Sequence, residues 1–188
     1  MSYITTCSGI HFDPINPQEE LLRLEDIAHS LSLVCRANGH MTHFYSVGQH
    51  SIACAREALA RGLSPRAALG CLLHDASEAY LSDVTRPIKH EMTRYLEVEK
   101  RLQEMIWEHF IPGEMLSEEE QKQIFEIDDE MLVWEFARLM PEPYRKKEAR
   151  ICADISAEFV EMKFVEEEFL RLYQQIVSKI LLKEESLS

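Results

Sequence analysis

Cys71-Leu72-Leu73-His74-Asp75-Ala76-Ser77-Glu78 ends an apolar run in an imidazole beside a carboxylate, with a second carboxylate three residues after Asp75 and four after His74. On a helix those offsets put the three polar groups on neighbouring parts of one face, where the preceding pattern would otherwise continue the core. Charge in that setting is costly unless it is paired or bound to a metal. Imidazole is a common ligand for transition metals and carboxylates add harder oxygen donors. The segment therefore reads either as part of a metal site or, more blandly, as a His-Asp pair bonded to itself and to a neighbouring carbonyl. A metal site needs further ligands from elsewhere. His50, in Ser46-Val47-Gly48-Gln49-His50-Ser51-Ile52-Ala53, and Asp128, in Ile124-Phe125-Glu126-Ile127-Asp128-Asp129-Glu130-Met131-Leu132, are candidates, although a lone residue of this kind is more often a satisfied core or surface group.

Helices must position these groups. Only six glycines and seven prolines punctuate the chain, and apolar residues between them recur at three and four rather than at two. The pattern predicts helices over about 24–36, 46–61, 65–81, 88–110, 118–140 and 150–181, hence one all-α domain spanning residues 1–188. Ser64 before Pro65 is an N-cap with proline at the first helical position, and Ser117 with Glu120 fits a capping box. Gly48 and Ser51, flanking His50, would let another helix approach closely. No alternating β-branched run is present, so no sheet is expected. Nor is there an internal repeat or a Pro/Gly-rich linker to divide the domain. The tail after Ile180 is expected to fray.

Composition limits the function classes. The 188 residues are 46% hydrophobic and 28% charged, as in a folded globular chain. Thirty-three acidic against twenty basic side chains give a net charge of −13, a field that repels polyanions and argues against sequence-independent nucleic-acid binding. A small anion could bind only where a metal or a few cations reverse the local sign. The five cysteines form no C-x-x-C pair and read as reduced thiols. Met1 to Gly9 lacks the pattern of a secretion signal, and no stretch approaches the roughly 20 apolar residues that span a bilayer. A cytoplasmic protein without a membrane partner is expected.

An isolated His, an adjacent His-Asp pair and a distant Asp, each on its own helix, resemble the HD-domain metal-dependent phosphohydrolase superfamily over about Asp26 to Met140. The resemblance implies the helical HD-domain fold. It also implies that His50, His74, Asp75 and Asp128 bind one divalent transition-metal ion, among Mn, Co, Fe, Ni and Zn. More narrowly, His74-Asp75-Ala76-Ser77-Glu78 followed by Asp83-Val84-Thr85-Arg86-Pro87-Ile88-Lys89, with Arg36 fourteen residues before His50, resembles the bacterial 5'-deoxynucleotidase branch. Cys35-Arg36-Ala37-Asn38-Gly39-His40 and Tyr45-Ser46-Val47-Gly48-Gln49-His50 resemble a related prophage-associated subgroup. That branch implies catalytic or water-orienting roles for Glu78 and Asp83 and a substrate-holding role for Arg36. Asp128 is preferred to Asp129 because its spacing to Glu135-Phe136-Ala137-Arg138-Leu139-Met140 matches the family's continuation. Asp129 would turn about 100° away along the helix.

Two imidazoles and two carboxylates suit a transition metal and leave a +2 ion formally neutral, so other cations must help to hold a phosphate. Arg36 leads, because a guanidinium grips phosphate oxygens with two prongs; Lys89 and Arg86 are helpers. The expected function is hydrolysis of a small-molecule nucleotide, a nucleoside 5'-monophosphate and first of all a deoxyribonucleotide, by a metal-activated water. Alternatives are another nucleotide specificity (di- or triphosphate, cyclic nucleotide, guanosine polyphosphate) or a metal-binding helical protein that acts through a protein partner. Helix 88–110 offers a surface for a homodimer. His40 and His43, beside the Asn38-Gly39 turn signal, read as pocket lining or a solvated region before a second metal site, and His90 and His109 as surface residues. Trp107 and Trp134, with Met105, Met131 and Met140, read as core. Glu166-Glu167-Glu168 reads as a solvated face and Arg145-Lys146-Lys147 as a solvated loop.

Overall fold

A computed structural model describes residues 3–142 and 149–185, so the Arg145-Lys146-Lys147 cluster lies outside the described residues. Its longer helices are α1 (Leu24–Leu33), α2 (Val47–Ala60) and α3 (Pro65–Leu73), with α6 (Thr93–Phe110), α7 (Glu118–Leu139) and α8 (Met162–Glu185) following the one-turn helices α4 (Glu78–Leu81) and α5 (Arg86–Lys89). The all-α expectation holds.

α3 is the axis of the fold. Every residue from Ala67 to Leu73 is buried, because α2, α7 and α8 pack around it and α6 touches its end. α1 lies against α2 and α8. The start signals act as the sequence suggests: Ser64 Oγ accepts from the Ala67 amide at 3.0 Å, and Ser117 and Glu120 bond reciprocally. A second capping box, Ser46 with Gln49, opens α2 and so fixes His50 in its first turn.

Gly48 sits where α2 crosses two neighbours. A Cβ there would lie 3.0 Å from Val165 Cγ1 of α8 and 3.1 Å from the Leu31 carbonyl oxygen of α1. Since the backbone oxygen cannot yield as a side-chain tip can, Gly48→Ala is expected to destabilise the protein by about 1–3 kcal/mol through overpacking. A thermal melt checks this, and an unchanged Tm contradicts the close crossing.

Five sequence expectations need correction. Residues 65–81 are not one helix: α3 stops at Leu73, residues 74–77 form a turn, and α4 follows. Gln103 of α6 secures that break, its Nε2 donating to the Leu73 carbonyl at 2.7 Å and its Oε1 accepting from the Ser77 amide at 3.1 Å. Residues 88–110 split into α5 and α6 around His90–Met92. α8 begins at Met162 rather than near 150, because Ile151, Ile155, Ala157 and Val160 pack as irregular chain against the core. The Cys152 and Ala153 amides there donate to the buried Glu57 carboxylate at 2.9 and 2.8 Å. α8 also continues through Leu181 and Leu182 to Glu185, where fraying is expected. Finally, Ile4–Thr5 and His11–Phe12 form a two-stranded antiparallel pair, too short for strand periodicity to register.

Trp107, Trp134 and Met131 are core residues, as expected, while Met105 and Met140 are partly buried. All five cysteines are free. No helix among the described residues is long and apolar enough to cross a membrane.

Candidate metal centre

His50 projects from the first turn of α2, His74 and Asp75 from the turn after α3, and Asp128 from the middle of α7. These elements bring the four side chains together. His50 Nε2 lies 3.2 Å from His74 Nε2, 3.1 Å from Asp128 Oδ1 and 3.8 Å from Asp75 Oδ2. His74 Nε2 lies 3.3 Å from Asp75 Oδ2 and 3.7 Å from Asp128 Oδ1. Donors held roughly 2.1 Å from one ion stand about 3.0–3.4 Å from each other, so the spacing fits one metal ion.

The other ring nitrogens decide what these donors can do. His74 Nδ1 donates to the Cys71 carbonyl at 2.7 Å, and His50 Nδ1 donates to Glu135 Oε1 at 2.7 Å. A carbonyl only accepts, and so does an ionised carboxylate, so both Nδ1 atoms carry hydrogen and each neutral ring turns a lone pair on Nε2 towards the other. Two lone pairs and two carboxylates then converge on one point, which requires a cation there or protons on the imidazoles. Burial and the Arg36 charge oppose protonation of His50, but Glu135 and Asp128 outweigh them and raise its pKa. Burial likewise opposes protonation of His74, yet Asp75 and Asp128 hold its pKa well above the usual value. Against burial, the same imidazoles hold the Asp75 and Asp128 carboxyls below the usual range. A divalent ion would therefore displace protons as it binds.

His50, Cys54 and His74 also offer donor atoms within 4.8 Å of one another. Cys54 Sγ, however, is 3.5 Å from His50 Nε2 and 3.9 Å from Nδ1. Such similar distances place the sulfur beside the ring, off the Nε2 lone-pair axis. The donor set that fits is two nitrogens and two oxygens.

A cavity of about 430 Å³ opens over this cluster. Arg36, Glu78, Asp83, Arg86 and Lys89 all line it, as do Asp75 and Asp128. Val84, Pro87, Leu132, Phe136 and Met140 form an apolar wall. His74 and Asp75 reach the site from a turn and not from a helix face. The Glu78 amide bonds the Asp75 carbonyl at 3.0 Å, the three-residue spacing that stacks residues i and i+3, which brings Glu78 beside Asp75.

Arg36 lies deep in the cluster, its Nε donating to Glu135 Oε2 at 3.1 Å and its terminal nitrogens 3.5 Å from Asp75 and from Asp128. Ala37 and Asn38 follow it at φ 52° and 50°, left-handed conformations costing roughly 1–2 kcal/mol each. Asp83 holds that turn, its Oδ2 accepting from the Ala37 amide at 3.1 Å. Glu78 is buried, and its Oε2 has no partner among the described residues. Burial first, then Asp75 and Asp83, push its pKa well above the usual carboxylate value. Lys89 Nζ stands 3.7 Å from Glu78 Oε1 and 2.7 Å from Glu99. Arg86 bonds Asp128 Oδ2 at 2.9 Å and Asp129 Oδ1 at 2.7 Å. Asp129 is exposed and pairs with Arg86, whereas Asp128 Oδ1 lies 3.1 Å from His50 Nε2, so of the adjacent pair Asp128 joins the cluster.

The remaining sequence candidates separate. His40 lines the cavity, but His43 Nε2 bonds the Ala157 carbonyl at 2.8 Å, so the two do not form a second metal site. His90 and His109 are exposed. Glu166-Glu167-Glu168 is not simply solvated: Glu166 bonds His29, and Glu168 bonds Arg56 and Arg171. Sequence reasoning gave no role to Glu135, although its place seven residues after Asp128, on the same side of a helix, was a usable signal.

No family model matches the chain. Over 113 residues it is 41% identical to the uncharacterized protein YfdR of Escherichia coli strain K12, covering 58% of this chain and 59% of that protein. Over 101 residues it is 40% identical to the uncharacterized protein RCAP_rcc00048 of Rhodobacter capsulatus, covering 50% of this chain and 51% of that one. The chain thus spans little more than half the length of these curated relatives, whose names state no activity.

Proposed function

We propose that this protein is a metal-dependent phosphohydrolase of the HD-domain type that releases phosphate from nucleoside 5'-monophosphates, deoxyribonucleotides foremost. One observation supports the metal centre: four donors from three parts of the chain converge on a single point, both imidazoles having committed Nδ1 elsewhere. The nucleotide substrate follows from the resemblance to the 5'-deoxynucleotidase branch. His50, His74, Asp75 and Asp128 would hold the divalent ion. When bound, such an ion supplies an activated water and offsets phosphate charge.

The other residues divide the remaining work. Arg36 and, nearer the rim, Arg86 and Lys89 line the cavity where an anion would sit. Burial and two neighbouring carboxylates raise the Glu78 pKa and so favour its protonated form, which suits it to protonate the departing 5' oxygen. Asp83 orients the turn that carries Arg36. The wall of Val84, Pro87, Leu132, Phe136 and Met140 offers apolar contact for a base or sugar.

The test is to strip the protein, reload it separately with Mn, Co, Fe, Ni and Zn, and measure free phosphate from a nucleotide panel. Phosphate from deoxynucleoside monophosphates with at least one of these metals is the expected result. Pyrophosphate from triphosphates, a linearised cyclic nucleotide, or a protein that binds no divalent ion overturns it.

A further inference from the structure

Glu135 is a fully buried carboxylate in the middle of the fold. Burying such a charge is costly unless its oxygens are partnered, and both are. Oε1 accepts from His50 Nδ1 at 2.7 Å and Oε2 accepts from Arg36 Nε at 3.1 Å. The first partner belongs to the candidate metal centre, and the second is the cation that reaches from it into the cavity. We propose that Glu135 is a positioning residue that locks His50 and Arg36 into one unit, holding the imidazole with Nε2 facing the metal position and the guanidinium with its terminal nitrogens facing the cavity.

The chemistry of the bridge requires a carboxylate. The two groups that it joins, His50 Nδ1–H and Arg36 Nε–H, are both donors, and two acceptor oxygens satisfy them together. A glutamine of nearly the same size presents one acceptor and one donor. If its oxygen faces Arg36, its NH2 group meets His50 Nδ1, the ring must shift its hydrogen to Nε2, and the lone pair offered to a metal is lost. If its oxygen faces His50, its NH2 group meets Arg36 Nε–H and the guanidinium is pushed aside. Neither orientation keeps both partners in place.

The metal and phosphate parts of this inference rest on the phosphohydrolase reading, whereas the hydrogen-bonded bridge does not, and the experiment separates them. In the metal-free wild type, proton NMR should show an exchange-protected, far-downfield imidazole N–H for His50, assigned by its loss in His50→Gln. Glu135→Gln should abolish or shift it. An absent His50 signal in the wild type, or one unchanged in Glu135→Gln, overturns the bridge, and the assigned wild-type signal decides this even if Glu135→Gln fails to fold. In the metal-loaded protein, Glu135→Gln should lower metal affinity about 10–100-fold in chelator competition or weaken inhibition by inorganic phosphate about tenfold, with an unchanged circular dichroism spectrum. Wild-type values for both overturn the positioning role. A wild type that binds no divalent ion overturns the phosphohydrolase reading instead, and leaves the bridge to the NMR result.

Discussion

Asp75→Asn is expected to abolish divalent metal binding and phosphate release together. Asp75 Oδ2 lies 3.3 Å from His74 Nε2, 3.8 Å from His50 Nε2 and 3.5 Å from an Arg36 terminal nitrogen, so it is the hinge of the whole cluster. Asparagine keeps the volume but removes one of two negative charges facing the metal position, and its NH2 group can turn a donor towards the imidazoles. Losing a metal's electrostatic contribution of roughly 4 kcal/mol would slow phosphate release about a thousandfold. Elemental analysis and a phosphate assay on one preparation check both halves. Retained metal with unchanged turnover would remove Asp75 from the site. Asp129→Asn, altering an exposed neighbour of Asp128, is the control and should shift stability by no more than about 0.5 kcal/mol.

The second large effect is at Glu78, where the substitution should harm activity and help stability. Glutamine resembles the protonated acid in shape but cannot give up a proton, so Glu78→Gln is expected to lower turnover about 10²–10⁴-fold while leaving metal content unchanged. The stability effect follows from the direction of the pKa shift. Burial, reinforced by Asp75 and Asp83, raises the Glu78 pKa above its unfolded value. A raised carboxyl pKa contributes stability that is fully present below the unfolded pKa and is lost as pH rises through the folded one. In metal-free protein, the Tm of Glu78→Gln minus that of wild type should therefore widen as pH rises. A gap that is flat with pH would mean that Glu78 is ionised in the fold without cost, and would remove its role as proton donor.

Much of the helical framework was legible because burial imposes a period. Ser64-Pro65 and Ser117-Glu120 mark starts that the structure uses, and Gly48 marks a crossing that it makes. His74, Asp75 and Asp128 could be singled out because they interrupt an apolar pattern, whereas His50 joined them through the resemblance to the HD-domain order of residues. The break after Leu73 was not legible, since a tight turn and a helix place residues three apart in similar ways, and the group that secures it, Gln103, comes from α6. Ile151, Ile155 and Val160 imitate a helical stripe, yet pack as irregular chain whose amides are held by Glu57. The bond between Asp83 and the Ala37 amide, the grip of Glu135 on Arg36 and the pairing of Arg86 with Asp128 all join segments distant in sequence. No local pattern encodes such pairs, and they require the fold itself.

The position of α8 has a consequence for how such a molecule comes into being. Val165, Phe169, Leu172, Ile176 and Ile180 make one buried stripe, and the helix they belong to lies on α1 and α3. A ribosome therefore delivers His50, His74, Asp75 and Asp128 well before it delivers the element that seals the oily sides of the helices around them. The nascent chain carries all four candidate ligands while those helix faces are still uncovered, and its safe passage depends on how soon translation reaches α8.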